Sequence, residues 1–319
     1  MRQEPRLVVR EWVQGVTTDT GDSRLARGRK ITTRSQHEAL RLPSARHLLL
    51  VPTLLLVGLF FLVPLAFTAI YSLGTTSLVT FETHFGWTLL NYRSLADSLY
   101  VGTILRSLVL SAAATLACVL IALPMAFFIA QQRRALQTIL LLAVIVPFWT
   151  SFLIRIYAWI NILQNGGPLQ SILQHMGLLD GPLNLLYTPF SIGLGIVYGY
   201  LPLMVLPIYV ALERADPHVF EAAADLGSRG WSLMWNIVVP LSKPGIIAGC
   251  ILVGIPATGE FVTPAILGGG KTLMFGNVIG SQFLEVGNLA FGSAMAMCLF
   301  AVVLALLVVQ AFAHRPGET

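Results

Sequence analysis

The sequence contains little charge. Only 11% of its 319 residues are Asp, Glu, Lys or Arg, while 55% are hydrophobic and the mean hydropathy is +0.76. Soluble domains carry roughly 25% charged residues, so this composition excludes a soluble globular protein and predicts an integral membrane protein. The formal net charge of +5 comes from basic residues concentrated before the first apolar segment. That placement is typical of a cytoplasmic flank near anionic lipid and does not indicate nucleic-acid binding.

Cysteine clusters and catalytic patterns are also absent. The three cysteines, Cys118, Cys250 and Cys298, lie inside apolar segments without paired spacing, which argues against a disulfide framework or a cysteine metal site. No His, Cys and carboxylate residues have metal-ligand spacing, and no Ser/His/Asp arrangement is visible. We therefore expect no metal and no catalytic residue in this chain. A membrane-embedded enzyme is the weaker class of hypothesis.

The apolar residues divide the chain into six predicted spans, each long enough for the roughly 20 residues of a transmembrane helix. The predicted fold class is an all-α polytopic membrane protein. Residues 1–46 are read as a basic, mostly disordered cytoplasmic tail without the apolar core of a signal peptide. Residues 47–313 form the membrane domain, and 314–319 form a short cytoplasmic end. The predicted spans are 47–73, 101–130, 136–163, 189–212, 245–267 and 289–313.

The basic residues predict the orientation of this bundle. Six spans put both termini on one side, and 16 of the 20 Lys and Arg fall on that side, in the tail, residues 131–135, residues 213–243 and the C-terminal end. By the positive-inside rule, the two termini are cytoplasmic.

One short polar segment between the fourth and fifth spans has strong helix boundaries. Asp216 suits the N-cap, Pro217 the first helical position and Gly227 the left-handed residue after a helix. A helix over Pro217–Leu226 has about ten residues and a length of roughly 15 Å, too short to span a bilayer. We expect it to dock on another protein through a face formed by Val219, Ala223 and Leu226; an ordinary interfacial helix is the alternative.

This segment resembles the cytoplasmic signature of type I ABC importer permeases, which runs from Glu-Ala-Ala through Gly to Ile-x-Leu-Pro. Val239 replaces the usual Leu, and the long basic tail is a further departure from the family. The matching residues are Glu221, Ala222, Ala223, Gly227, Ile237 and Pro240.

The resemblance implies a type I permease fold in a bacterial inner membrane, with the short helix acting as a coupling helix. It implies two ATP-binding subunits, a second homologous permease chain and an extracytoplasmic binding protein as partners. ATP and Mg would bind to the partner ATPase, so no cofactor is expected on this chain. Whether the permease pair is a heterodimer or a homodimer stays open.

Residues 265–272 almost match a nucleotide-binding Walker A loop. Ala265 stands where the first glycine is required, and the segment follows an apolar span instead of a strand. The glycines are therefore interpreted as a tight turn, which agrees with placing ATP hydrolysis on another chain.

Ionisable residues inside predicted spans are informative, because charge there is costly and usually functional. Glu260 lies about 15 residues into the fifth span, near the helix-weakening Pro256, Gly259 and Pro264. One interpretation places Glu260 in the pathway of a cationic substrate. Its candidate neighbours in that interpretation are Trp149, Tyr157 and Trp159, whose rings suit ammonium groups. The alternative pairs Glu260 with Arg155, predicted at a similar depth in the third span.

Within the importer permeases, residues 50–310 resemble the spermidine/putrescine branch most. The resemblance is carried by 147–159, 200–209, 245–253 and 259–269. It implies a polyamine substrate; related branches carry opines, aminoethylphosphonate, iron or thiamine, and these stay alternatives. An ion-coupled secondary transporter is the rival class, but such carriers often show internal repeats with paired broken helices, and no convincing repeat is visible.

Overall fold

The computed structural model describes residues 52–178 and 180–313. The predicted tail over 1–46 and the end over 314–319 lie outside the described residues. The chain divides into two units after Leu55, and before that point only residues 52–55 are described.

The described residues are mostly helical. A two-stranded antiparallel hairpin follows the first helix, with Thr75 opposite His84. The elements are α1 (Pro52–Ser72), β1 (Thr75–Thr76), β2 (Thr83–His84), α2 (Leu90–Leu95), α3 (Ser98–Ala130), α4 (Arg134–Ile145), α5 (Phe152–Leu163), α6 (Pro168–His175), α7 (Pro189–Glu213), α8 (Pro217–Asp225), α9 (Trp231–Thr258), α10 (Val262–Leu267), α11 (Phe275–Ser281) and α12 (Leu289–Ala313).

Among the described residues, five helices are long and apolar enough to cross a membrane, and a sixth span exists if one bent helix pair is counted. The five are α1, α3, α7, α9 and α12. Their starts follow the sequence: Asp97 caps α3 through the backbone N–H of Leu99, and Thr188 and Ser191 form a capping box at α7. The predicted all-α polytopic fold is confirmed.

The third predicted span is not one straight helix. Segments Arg134–Trp149 and Phe152–His175 meet at an angle of 91°. Pro147 lies in a 3₁₀ turn at the end of the first segment, and Thr150 and Ser151 have extended backbone. Proline lacks the N–H needed to continue a helix, so the chain turns there. The prediction that one straight helix runs through 136–163, from which the depth of Arg155 was counted, is therefore wrong.

The fifth predicted span, 245–267, is also wrong at both ends. Helix α9 begins at Trp231 and ends at Thr258, and α10 is a separate short helix after a break at 259–261. The early start was hidden by polar residues such as Asn236 and Lys243, which interrupt the apolar pattern. Glu260 consequently lies in the break beyond the end of α9, not within a continuous span.

Helices α3, α7 and α9 form the centre of the bundle. Cys118 on α3, Met204 and Ile208 on α7 and Val253 on α9 are fully buried in one cluster, and all three cysteines are free. The Ser111 and Thr258 hydroxyls share a hydrogen bond of 2.9 Å that joins α3 to α9. Close packing of α9 on α7 explains why glycine occupies the contact between them.

Gly245 on α9 tests this contact. A Cβ atom there would collide with the carbonyl oxygen of Pro207 and lie 2.8 Å from Cα of Ile208. We expect Gly245→Ala to lower the free energy of unfolding by about 1–3 kcal/mol, the usual cost of overpacking, measured as a lower melting temperature in detergent. Gly254→Ala on the same helix is the control, because its Cβ would meet Thr115 at an ordinary 3.5 Å. Equal melting temperatures for the two variants would contradict the tight contact.

Candidate functional site

The short helix predicted between the fourth and fifth spans is present as α8. The Asp216 carboxylate accepts a hydrogen bond of 3.0 Å from the backbone N–H of His218, so Asp216 caps the helix as expected. Gly227 has φ +82°, the left-handed conformation that ends helices. The backbone N–H of Ser228 reaches the Ala223 carbonyl at 2.9 Å and closes the last turn. The helix ends at Asp225, one residue before the predicted end.

The predicted docking face of α8 is wrong for one of its three residues, Ala223. Ala223 is only 6% exposed, whereas Leu226 is 89% exposed and Val219 is also open. The residue that anchors α8 is Phe220, whose ring lies 5.7 Å from the ring of Phe127 at the end of α3. A helix of two to three turns has several candidate apolar faces, and the sequence did not show which one meets α3. Leu226 and Val219 remain exposed for contact with another molecule.

Glu221 lies on the exposed surface of α8 and contacts His218. The Glu221 carboxylate is 3.1 Å from Nδ1 of His218. This contact raises the pKa of His218 above its ordinary value, with the carboxylate of Asp216 adding to the effect. Behind α8 lies a cavity of about 590 Å³ between the helix and the ends of α3, α4 and α7. Helix α8 is thus attached to the bundle by few contacts.

The second half of the predicted signature lies in α9. Ile237 belongs to the π-helical turn Met234–Val238, and Pro240 follows within the regular helix. Val238 between them is fully buried in the central cluster. The signature therefore joins the exposed helix α8 to a helix that is anchored in the core.

A second candidate site is the break between α9 and α10. Glu260 is 8% exposed, and its Oε1 accepts hydrogen bonds from the backbone N–H groups of Val262 and Thr263, both at 3.2 Å, and from the Thr263 hydroxyl at 3.3 Å. Its Oε2 accepts a 2.5 Å hydrogen bond from the Tyr200 hydroxyl. The carboxylate therefore caps α10 with one oxygen and leaves the other oxygen with a single partner.

Glu260 lines a cavity of about 410 Å³. Aromatic side chains from three elements surround it, and glycine and proline complete its walls. Within the described residues, no Lys, Arg or His nitrogen lies within 4.0 Å of the Glu260 carboxylate. The lining residues are Phe152, Gly199, Tyr200, Pro256, Gly259, Glu260, Phe261 and Val262.

The alternative pairing of Glu260 with Arg155 is therefore not formed. The guanidinium of Arg155 instead lies 4.5 Å from the ring centroid of Phe148. The bend at Thr150 and Ser151, which sequence counting did not include, sets the direction of α5 and thus of Arg155.

The three predicted aromatic neighbours do not line the Glu260 cavity. Trp149 is 79% exposed and Tyr157 is exposed as well, while Trp159 packs edge-on against Tyr198 at 5.6 Å. The residues that do approach Glu260 are Tyr200, Thr263 and Phe152, and sequence reasoning missed them. Thr263 follows Glu260 by three positions, a spacing typical of helix capping, so this neighbour could have been predicted from the sequence.

The Walker-like segment forms a turn, as the sequence indicated. Helix α10 ends at Leu267, and Gly269 and Gly270 have φ of +53° and +73°. The described residues contain no group of three His, Cys, Asp or Glu that could hold a metal ion.

The fold and the two sites define a class of protein: a polytopic helical membrane protein with a short exposed helix between two spans and a buried carboxylate at a helix break. Residues 119–315 match the family described as binding-protein-dependent transport system inner membrane component. The chain belongs to this family. It is the transmembrane permease subunit of an ATP-driven, binding-protein-dependent importer and a multi-pass protein of the inner membrane.

Several relatives are similar over most of the chain. The spermidine/putrescine transport system permease protein PotB of Escherichia coli (strain K12) is 42% identical over 229 residues, which cover 72% of this chain and 83% of the relative. The protein of the same name from Haemophilus influenzae is 42% identical over 221 residues, covering 69% and 77%. The inner membrane ABC transporter permease protein YdcU of Escherichia coli (strain K12) is 34% identical, covering 66% and 71%.

Solved structures agree on the fold. A chain from a bacterial ABC transporter involved in the import of the acidic polysaccharide alginate matches with a TM-score of 0.65 at 14% identity, covering 86% of this chain and 96% of that chain. A second structure of a bacterial alginate transporter, in complex with an alginate pentasaccharide-bound periplasmic protein, matches with a TM-score of 0.64. At this identity the similarity concerns the architecture of the permease fold.

The contact between His218 and Glu221 predicts a measurable titration. Because Glu221 raises the pKa of His218, the pair stabilises α8 fully below the unfolded pKa of about 6.5, and this stabilisation is lost as the pH rises through the higher folded value. We expect Glu221→Gln to lower the titration midpoint of His218, measured by NMR on histidine-labelled protein in detergent. Asp225→Asn, on the same helix, is expected to leave the midpoint unchanged. A midpoint insensitive to Glu221→Gln would show that the contact does not form in solution.

Proposed function

We propose that this chain moves polyamines such as putrescine or spermidine through the importer. The observation that carries this proposal is the Glu260 site: a buried carboxylate that faces a cavity with aromatic walls and has no cationic partner within 4.0 Å in the part of the chain that the structure describes. An ammonium group is the complement of such a site, since carboxylates and aromatic faces both attract cations. The 42% identity to spermidine/putrescine permeases supports the same substrate class.

We further propose that α8 is the coupling helix, docked on an ATP-binding subunit that holds ATP and Mg. The contact with that subunit would be made or positioned by Glu221, Ala222 and Ala223. Gly227 would end the helix with a sharp turn. Ile237 and Pro240 would pass its motion into α9. The exposed Leu226 and the weak attachment of α8 to the bundle support this role.

The proposed assembly contains two ATP-binding subunits, a second permease chain and an extracytoplasmic polyamine-binding protein. Both termini and α8 lie in the cytoplasm in this proposal, as the distribution of basic residues indicates. ATP binding closes the ATPases, α8 moves with them, and the bundle changes from inward-open to outward-open as rigid bodies.

Other solutes remain candidates for the same fold. An opine, aminoethylphosphonate, iron or thiamine would also use an importer permease, and the substrate has to be separated from them by experiment. The Glu260 cavity favours a cationic amine over a phosphonate, because a buried carboxylate repels an anionic group.

The coupling role is tested on α8. We expect Glu221→Lys or Gly227→Asp to abolish uptake while the protein stays in the membrane, because the first change reverses a charge on the docking surface and the second places a side chain at φ +82°. Uptake and substrate-stimulated ATPase are measured in the reconstituted complex. Asp225→Asn is the control on the same helix. Wild-type coupled ATPase activity in both variants would reject the docking role.

The substrate role is tested on Glu260. Glu260→Gln keeps a carbonyl oxygen that can cap α10 but removes the charge, so we expect at least tenfold weaker putrescine uptake with little change in melting temperature; loss of a charged hydrogen bond costs about 1.5–3 kcal/mol. The control is Glu285→Gln, a change at an exposed acidic residue. Unchanged putrescine uptake by Glu260→Gln would contradict a cationic substrate at this site.

A further inference from the structure

Arg155 carries a charge without a counterion among residues 52–178 and 180–313. Its Nε and Nη1 atoms are buried and have no hydrogen-bond partner, and no acidic side chain of the described residues lies within 4.0 Å of it. Buried charges in membrane segments usually pair with an opposite charge or with backbone carbonyls. The environment of Arg155 therefore requires an explanation beyond ordinary packing.

Aromatic rings take the place of a counterion. The Arg155 Cζ atom lies 4.5 Å from the ring centroid of Phe148, 5.6 Å from that of Phe152 and 5.9 Å from that of Tyr198. All three distances fall within the range of cation–π contact. We call Phe148, Phe152 and Tyr198 the aromatic cage. Such cages are a common protein site for ammonium groups.

The aromatic cage and the Glu260 cavity share a wall. Phe152 belongs to the cage and also lines the cavity, and Gly199 and Tyr200 of the cavity follow Tyr198 directly on α7. A molecule with one ammonium group at Glu260 and a short methylene chain along Phe152 would bring a second ammonium group toward the cage.

We propose that the aromatic cage is a second ammonium subsite for a diamine or polyamine, and that Arg155 occupies it as the protein's own cation until substrate arrives. The proposal rests on the proposed polyamine function and adds a subsite to it. Arg155 is only half-buried, and its flexible stem allows the guanidinium to leave the cage. When the guanidinium leaves the cage, its buried N–H groups lose no hydrogen bond, because they have no partner there.

This arrangement would favour a substrate with two positive charges over a substrate with one. A monoamine satisfies Glu260 but cannot displace Arg155, because a second cation is needed to replace the one that leaves the rings. A diamine fills both subsites. Arg155 thereby becomes a specificity-determining residue.

The test is equilibrium binding to the assembled importer in nanodiscs, with radiolabelled putrescine and n-butylamine, which has the same chain length and one ammonium group. Arg155→Met keeps an apolar stem and removes the competing cation. We expect its dissociation constant for putrescine to fall about two- to thirtyfold, the range that corresponds to one cation–π contact, with butylamine binding unchanged. Arg155→Lys, which keeps a cation within reach of the rings, is expected to stay close to wild type.

Two further variants separate the possible failures. Tyr198→Leu opens the cage and is expected to bring putrescine binding down to that of butylamine; it also decides the matter should Arg155→Met fail to fold. Arg106→Met, at an exposed arginine on α3, is the control. If Glu260→Gln weakens putrescine binding but Arg155→Met and Tyr198→Leu do not change the preference for the diamine, the aromatic cage is not a subsite. If wild type binds no putrescine, or Glu260→Gln has no effect, the polyamine function itself fails.

Discussion

The constraint behind this structure is that a backbone polar group within a membrane needs a partner from the protein. After α9 ends at Thr258, the backbone N–H groups of Val262 and Thr263 donate to the Glu260 carboxylate. The Phe261 carbonyl accepts a 2.6 Å hydrogen bond from the Asn277 side chain. Side chains thus satisfy several backbone groups of the break, and this arrangement fixes a carboxylate beside a cavity.

The two oxygens of the Glu260 carboxylate have different hydrogen-bond partners, so this side chain can have two roles. Oε1 has three donors and is saturated, so it holds the start of α10 in place. Among the described residues, Oε2 accepts a hydrogen bond only from the Tyr200 hydroxyl, which leaves capacity for one more donor. A cation that binds here therefore does not need to disturb the cap of α10. Structural and binding roles, which compete for many buried acids, are divided between the two atoms of one side chain.

Helix α9 connects the two candidate sites. Its first turns carry Ile237 and Pro240, and its last residue, Thr258, immediately precedes the Gly259–Phe261 break. Gly245 and Gly249 allow α9 to approach α7 closely along its middle, so this part of the helix has little freedom to bend independently. In the proposed mechanism, a displacement near α8 would move the break as part of one packed body. The π-helical turn at Met234–Val238 is the place where the regular hydrogen bonding of α9 is interrupted.

The sequence predicted those features that depend on local chemistry. The low charge predicted the membrane class, and Asp216 and Gly227 predicted both ends of α8 to within one residue. Features that depend on tertiary contacts were missed: the sequence analysis did not predict the 91° bend after Pro147, and no periodicity distinguished Phe220 from Val219 as the anchor of α8. Glu260 was identified because a charged side chain is energetically costly within a membrane, but its neighbours Tyr200 and Phe152 come from other helices. Local spacing carries no information about such neighbours.

The comparison of folds indicates that the cargo is determined by side chains and not by the arrangement of the helices. A permease with a TM-score of 0.65 to this chain belongs to a transporter for the acidic polysaccharide alginate, and the two share only 14% identity. One arrangement of helices is thus compatible with an anionic cargo, so the helices alone cannot determine the sign of the charge that passes. In the proposed function, the determinants are groups at the cavity, where charge is less screened by water than at the surface. The proposed groups are the Glu260 carboxylate, which caps α10, and the Arg155 guanidinium, which lies against aromatic rings. Phe152 lines the Glu260 cavity and its ring centroid lies 5.6 Å from the Arg155 Cζ atom, so under the proposed function this one ring contributes to both subsites.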